Sequence, residues 1–211
     1  MAKVTVAFDS ETGDLLPSKG HLLTLYMGLF DEDFRLLEEL DLKLKPNDGQ
    51  LLLASAEALK INGINLKVHM EDPTTITYAE AKEKIMATLK RHLKRNGRYS
   101  NLIPMAYNAD FDIKFVQYYI LPEEEWNSIL HYGKIDPKQV VDFLKDCGWI
   151  DRSVGSLGSV AEYFNVPKRN AHTAKDDTFM MLDVYKNILA LMKSKKDGGN
   201  TSDLISLLES E

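Results

Sequence analysis

Apolar and small or polar residues alternate from Lys3 to Asp9: Val4, Val6 and Phe8 fall to one side of the chain, and Lys3, Thr5 and Ala7 to the other. This period of two predicts a strand. Residues 21–30 and 35–45 have strand character too, and the acidic turn Asp31-Glu32-Asp33 between them predicts an antiparallel meander. A short helix is predicted over 50–60, stopped by Asn62-Gly63. A longer one over 78–95 opens with the capping-box pattern Thr77-x-x-Glu80 and closes before Gly97. A fourth strand is predicted from Leu102 to Tyr107, helices over 110–120 and 122–130, and a fifth, short strand at Gln139-Val140-Val141. Helices over 156–164 and 173–194 complete the pattern. Strands first and alternating helices afterwards predict an α/β domain around a mixed sheet.

No internal repeat or long linker interrupts the chain before about residue 194, so residues 1–194 read as one domain. Residues 195–211, with Asp197-Gly198-Gly199-Asn200-Thr201-Ser202, read as a flexible acidic tail. Leu204, Leu207 and Leu208 stand at helical spacing there, as a peptide docking on a protein partner would place them. A disordered end or self-packing explains them more simply.

Composition narrows the class. The chain has 211 residues, 44% hydrophobic and 27% charged, which suits a globular domain. No apolar run reaches the roughly 18 residues of a membrane span, and the N-terminal apolar stretch meets Asp9 too soon for a signal peptide. The single cysteine, Cys147, excludes an intramolecular disulfide and a cysteine-based zinc site. A cytoplasmic protein with no membrane partner is the expectation. Against 26 basic side chains stand 32 acidic ones, a formal net charge of −6. That balance argues against a protein that coats phosphates generally, but leaves room for local binding of nucleic acid and for carboxylates reserved for metal ions. Lys90, Arg91, Lys94, Arg95 and Arg98 form the clearest basic cluster. They read as a solvated helix face rather than a DNA track, with Lys168 and Arg169 better placed for phosphates.

Several carboxylates stand where carboxylates are costly. Asp9 and Glu11 lie two apart at the end of the first strand and project to one face. Like charges so placed repel unless a cation lies between them, although a lone D-x-E reads more simply as a polar turn. Asp112, Phe115, Val116 and Tyr119 share one face of the next helix, so an acid heads an apolar stripe, with Asp110 expected as the N-cap. Taken alone, Asp112 would serve the helix dipole equally well. Asp177, Met181, Val184, Ile188 and Leu191 repeat the arrangement on the last helix. His172, five residues before Asp177, is a candidate general base. Four inward carboxylates offer oxygen ligation suited to Mg²⁺ or Mn²⁺. Phosphoester hydrolysis with two ions about 3.5–4 Å apart needs such a cluster and a base.

Asp9-x-Glu11-Thr12, Asn108-x-x-Phe111-Asp112 and His172-x-x-x-x-Asp177 resemble, in order, the three motifs of the DEDDh branch of the DnaQ-like 3′–5′ exonucleases, over about residues 3–190. Ala58-x-x-x-Asn62-Gly63-Ile64 and Ser156-Leu157 also fall where relatives have similar segments. The glycine after Thr12 comes one residue earlier than in the common D-x-E-T-T-G form, and Tyr107 stands where many relatives have histidine. Both bear on how the substrate end is cradled. The resemblance implies a ribonuclease H-like fold: a mixed five-stranded sheet, its first three strands antiparallel, flanked by helices. It implies that Asp9, Glu11 and Asp177 hold a catalytic metal, with Asp9 bridging to a second ion that Asp112 helps place through water. By the same resemblance His172 deprotonates the attacking water, while Thr12, Asn108 and Phe111 line a pocket for the terminal nucleotide.

The expected function is therefore metal-dependent removal of 5′-mononucleotides from 3′ ends, of single-stranded DNA first. An exoribonuclease or a polymerase-associated proofreading subunit are alternatives within the enzyme class, the latter if the tail docks a polymerase. An inactive relative that binds nucleic-acid ends or a protein is the alternative outside it, and the intact set of acids and His172 speaks against that.

Overall fold

In a computed structural model the chain is described over residues 2–47, 50–167 and 173–196. The first three strands are β1 (Val4–Thr12), β2 (Leu22–Phe30) and β3 (Leu36–Lys45), followed by helices α1 (Ala56–Asn62) and α2 (Leu66–Glu71). Next come the short β4 (Ile76–Thr77), α3 (Tyr78–His92), a small hairpin of β5 (Arg95–Asn96) and β6 (Tyr99–Ser100), and β7 (Leu102–Met105). Five helices complete the described residues: α4 (Ala109–Tyr119), α5 (Glu123–Ile129), α6 (Pro137–Asp146), α7 (Leu157–Tyr163) and α8 (Ala174–Lys196).

The sheet runs β4-β3-β2-β1-β7. As expected, β1, β2 and β3 are antiparallel neighbours, while β7 adds parallel to β1 and β4 parallel to β3. Val4, Val6 and Phe8 face the layer built by α3, α4 and α5, where Ile85, Leu89, Phe115, Val116 and Trp126 complete the main core. Ala7 faces the other way, onto Met181 and Leu182 of α8. Helices α6 and α7 then pack outside α8 through Val141, Leu144, Val160 and Val184. The strand pleat thus gives β1 two loaded faces, one toward α4 and one toward α8.

Several boundaries follow from local chemistry. The capping box Thr77–Glu80 opens α3, with the Glu80 carboxylate accepting from the Thr77 N–H at 2.7 Å. Gly63, at φ 68°, ends α1 in the left-handed conformation that glycine adopts without strain. The unexpected α2 is only six residues long, too short to show periodicity. Asn65 caps it, and a ring nitrogen of buried His69 lies 2.8 Å from the Leu44 carbonyl.

The expected strand at Gln139–Val141 is helical instead. Asp136 is the N-cap of α6 and Pro137 occupies its first turn, a pairing that favours helix over strand. What remains of a strand beside β7 is a single parallel bridge at Ile135. The expected N-cap Asp110 also shifts: α4 begins at Ala109, and Asp110 sits inside its first turn, paired with Lys134.

Asp136 serves two helices at once. Its carboxylate accepts from the Lys138 N–H of α6 and from the Asn108 and Ala109 N–H groups at the start of α4, each at 3.0 Å. Replacing Asp136 with alanine leaves both starts uncapped, and we expect a loss of about 1–2 kcal/mol of unfolding free energy in urea titrations. Asp142→Ala, which removes partly exposed pairs with Lys138 and Lys145, should cost about 1 kcal/mol or less. Equal losses for the two variants would contradict the shared cap.

Candidate active site

Strand β1 ends in Asp9-Ser10-Glu11-Thr12, and its pleat sorts these residues. Asp9 and Glu11 turn to the α8 side, where Asp177 stands in the first turn of that helix. Ligand oxygens of Asp9, Glu11 and Asp177 lie within 4.8 Å of one another, all three residues half-buried. Ser10 turns the opposite way, and its hydroxyl donates to Oδ1 of the buried Asp112 on α4 at 2.5 Å. Three of the four expected carboxylates therefore converge on one face, while Asp112 reaches the same strand end from the other. His172, Lys168, Arg169 and the tail from residue 197 lie outside the described residues.

The electrostatics match the crowding. Loss of solvent raises the Asp9 carboxyl well above its ordinary range, and the charges of Asp112, Asp177 and Glu11 push it further. Glu11 is raised to about 8, again by burial first and then by Asp177 and Asp112. Burial raises Asp112 to about 7 against the opposing hydrogen bond from Ser10. A divalent cation reverses these costs, and an all-carboxylate donor set suits a hard ion such as Mg²⁺ or Mn²⁺. The residues present fit that group.

Beside the acids lies a cavity of about 480 Å³, large enough for one nucleotide. Leu15, Ala58, Ile61 and Phe111 give it apolar walls, and Glu11 and Thr12 give it polar ones. Phe111 also packs inward, its ring centre 5.1 Å from that of Phe115. The Thr12 hydroxyl donates to the Asp14 carbonyl at 2.8 Å, which turns the chain at the cavity edge. Among the described residues lining the cavity, Asn108 is not found. It stands at the head of α4 with φ 64° and ψ 50°, a left-handed conformation held by the bond from its N–H to Asp136.

Sequence reasoning missed most of the scaffold behind these groups. The Asn62 side chain donates to the Thr12 carbonyl at 3.2 Å, tying the end of α1 to the end of β1. Gly13 donates to the His21 carbonyl and accepts from the Ser55 N–H, each at 2.7 Å. A Cβ on Gly13 would stand 2.5 Å from the Leu53 carbonyl oxygen, so only glycine fits this crossing. The imidazole of His21 accepts from the Leu53 N–H at 2.7 Å, and the Tyr119 hydroxyl lies within donating reach of the Pro17 and Gly20 carbonyls. Asn62-Gly63 and the glycine after Thr12 were visible signals; the roles of His21 and Tyr119 had none.

Comparison with known proteins bears on the fold. No protein-family model matches the chain, and no curated protein sequence matches it. Solved structures do. Structures of E. coli exonuclease I are among them. A zinc-bound complex of that enzyme with single-stranded DNA superposes with a TM-score of 0.68 at 18% identity, over 88% of this chain and 40% of that one. Its complex with a dT13 oligonucleotide gives 0.68 at 17% identity, over 92% and 42%. The ExoI/SSB-Ct complex gives 0.67 at 16%, over 88% and 41%. At such identity the likeness establishes a shared fold, and the chain spans about two fifths of the length of those chains.

Raised carboxyl pKa values make stability depend on pH in a definite direction. Glu11 titrates near 4.5 in the unfolded chain and at about 8 in the metal-free folded one, and Asp9 moves the same way. The folded state binds more protons at these two groups across that window, so their contribution to stability is fully present below about pH 4.5 and falls as pH rises toward 8. In EDTA the melting temperature should accordingly drop from pH 5 to pH 8. Added Mg²⁺ or Mn²⁺ should raise it more at pH 8 than at pH 5, whereas Asp9→Asn should melt higher in EDTA and lose most of the metal effect. Identical metal responses of wild type and variant would rule out the cluster as the binding site.

Proposed function

We propose that this chain is a metal-dependent 3′–5′ exonuclease of the DnaQ-like DEDDh type, with a ribonuclease H-like fold, removing 5′-mononucleotides from the 3′ ends of single-stranded DNA. The observation that supports this best is the convergence of Asp9, Glu11 and Asp177 at the end of β1, beside a nucleotide-sized cavity. The fold is shared with an exonuclease solved on single-stranded DNA. Residues 1–194 form the exonuclease domain in this reading, and 195–211 an acidic tail available to a protein partner.

Asp9, Glu11 and Asp177 would hold one divalent ion, with Asp9 shared to a second. When bound, two such ions polarise the scissile phosphodiester and stabilise the charge on the attacking and leaving oxygens. Asp112, which reaches the strand end from the other side with Ser10 donating to its Oδ1, would help place the second ion through water. His172 takes the proton from the attacking water. Leu15, Ile61 and Phe111 receive the terminal base against apolar walls and exclude water there, while Thr12 and the backbone around Gly13 face the sugar end. Asn108, through its fixed left-handed backbone, sets where α4 presents Phe111 and Asp112. A base paired within a duplex cannot enter such a cavity without losing its pairing and stacking, which is why free single strands are the favoured substrate.

Purified protein incubated with 5′-labelled DNA and RNA oligonucleotides tests this directly. With Mg²⁺ or Mn²⁺ we expect stepwise shortening from the 3′ end, faster on single strands than on blunt duplexes, faster on DNA than on RNA, and abolished by EDTA. Full activity in excess EDTA, or degradation of a circular strand, would overturn the reading.

Single substitutions separate the roles. Asp177→Asn should remove most activity with the fold retained. His172→Ala should lower kcat by about 10²–10⁴-fold, the range of a general base, while metal-dependent stabilisation persists. Turnover near wild type in His172→Ala would pass the base role to another group.

A further inference from the structure

A second group of residues suited to nucleic acid stands at the opposite end of the sheet. In the β5–β6 hairpin Arg95 pairs with Ser100 and Asn96 with Tyr99, which leaves Gly97-Arg98 as a two-residue turn. Gly97 has φ 58°, and glycine first in such a turn matches the twist of the strands. The turn holds Arg98 at its tip, with the guanidinium carbon 5.2 Å from the centre of the Tyr99 ring. His131 and Tyr132, in the loop after α5, stack on each other at 4.5 Å, and Tyr132 lies 5.9 Å from Tyr99.

This loop is anchored. The His131 N–H donates to the Leu102 carbonyl at 2.7 Å, and the Gly133 N–H donates to the His131 ring at 2.9 Å. Together the rings and Arg98 border a cleft of about 320 Å³. Yet Tyr132 is 80% exposed and Tyr99 41%, so neither ring is spent on the core.

The cations differ in their commitments. Arg91 is bound to Glu38. Arg95 donates to the Ser128 carbonyl and Arg98 to the Tyr99 hydroxyl, and among the described residues neither has a carboxylate in ion-pairing reach. In a chain of net charge −6, guanidinium groups free of acids next to exposed flat rings form a local exception. Single-stranded nucleic acid is the ligand that uses both features, since every base offers a face for stacking and every phosphate a charge.

We propose that Tyr99, Tyr132, Arg95 and Arg98 form a second binding platform for the single strand whose 3′ end enters the acidic site. The choice of this strand rests on the exonuclease reading. Leu102 at the start of β7 lies level with Val4, and Asp9 is five residues further along β1, about 17 Å at the rise of a strand. Only an oligonucleotide several residues long reaches both places. The platform therefore acts on long substrates and not on short ones.

Fluorescence anisotropy in EDTA, with labelled oligo-dT of about 4 and about 20 nucleotides, spans the site sizes of single-strand binders and tests this on the full chain. For the long oligonucleotide, Tyr99→Ala/Tyr132→Ala should weaken binding about tenfold, the scale of one lost stacked base. Arg98→Ala, at the tip of the turn and outside the core, should weaken it and reduce the salt slope by about one. Tyr99→Phe/Tyr132→Phe keeps the rings and should bind as wild type. The short oligonucleotide, which cannot span both places, should lose less than the long one. Unchanged binding of the long oligonucleotide by the alanine variants would overturn the proposal and leave the face to a protein contact or to none. Failure of the exonuclease reading would show instead as absent cleavage with the length-dependent loss intact.

Discussion

Like charges forced together at the end of one strand set the terms for everything around them. Asp9, Glu11 and Asp177 would separate if the backbone let them, because none gains from the others without a cation between them. The fold must hold them against that repulsion, and it does so with elements that owe nothing to the charges. Asp9 and Glu11 sit on β1 just past its pairing with β7, held in register by β2, and Asp177 rides on the long helix whose stripe Met181, Val184 and Ile188 is anchored in the core. Apolar burial thus sustains an electrostatically unfavourable arrangement, as expected where strain is kept for a function.

The chain around the cavity shows the same economy. Between β1 and α1 the backbone crosses itself at Gly13, and the crossing is secured by backbone bonds to His21 and Ser55 rather than by side-chain packing. Asn62 and Tyr119 reach the same region from two different helices. A rigid rim results even though this stretch has no regular secondary structure between Gly13 and His21.

Much of this was legible in the sequence, and the exceptions have physical causes. The strands β1 and β3 and the longer helices were plain from a period of 2 or 3.6, and β2 from a continuous apolar run between turn residues. The pairing of Asp9 with Glu11, the inward setting of Asp112 and the stripe behind Asp177 followed from the same periods. Gln139-Val140-Val141 misled because two β-prone valines do not outweigh a helix already started by Asp136-Pro137. Asn108 was placed in the pocket by its motif, whereas its visible work is to hold a left-handed backbone at the head of α4. Contacts such as Tyr119 to Gly20 or Asp136 to Asn108 join residues 99 and 28 positions apart and leave no local trace. Nor does a sequence say that Ser10, lying between two acids, turns away from both to meet a third.

That last arrangement makes strand register itself a chemical variable in β1. With side chains alternating between faces, the α8 side receives Asp9 and Glu11 while the α4 side receives Phe8 and Ser10. One residue inserted or deleted upstream in the strand would exchange the two sets, aiming the hydroxyl at Asp177 and the carboxylates at the apolar layer. The irregularity in pairing between Glu11 and Thr12 falls just beyond the last of these residues, so the chain breaks its alternation only after the acids have been delivered. The strand up to Glu11 is therefore as exacting about how many residues it contains as about which ones they are.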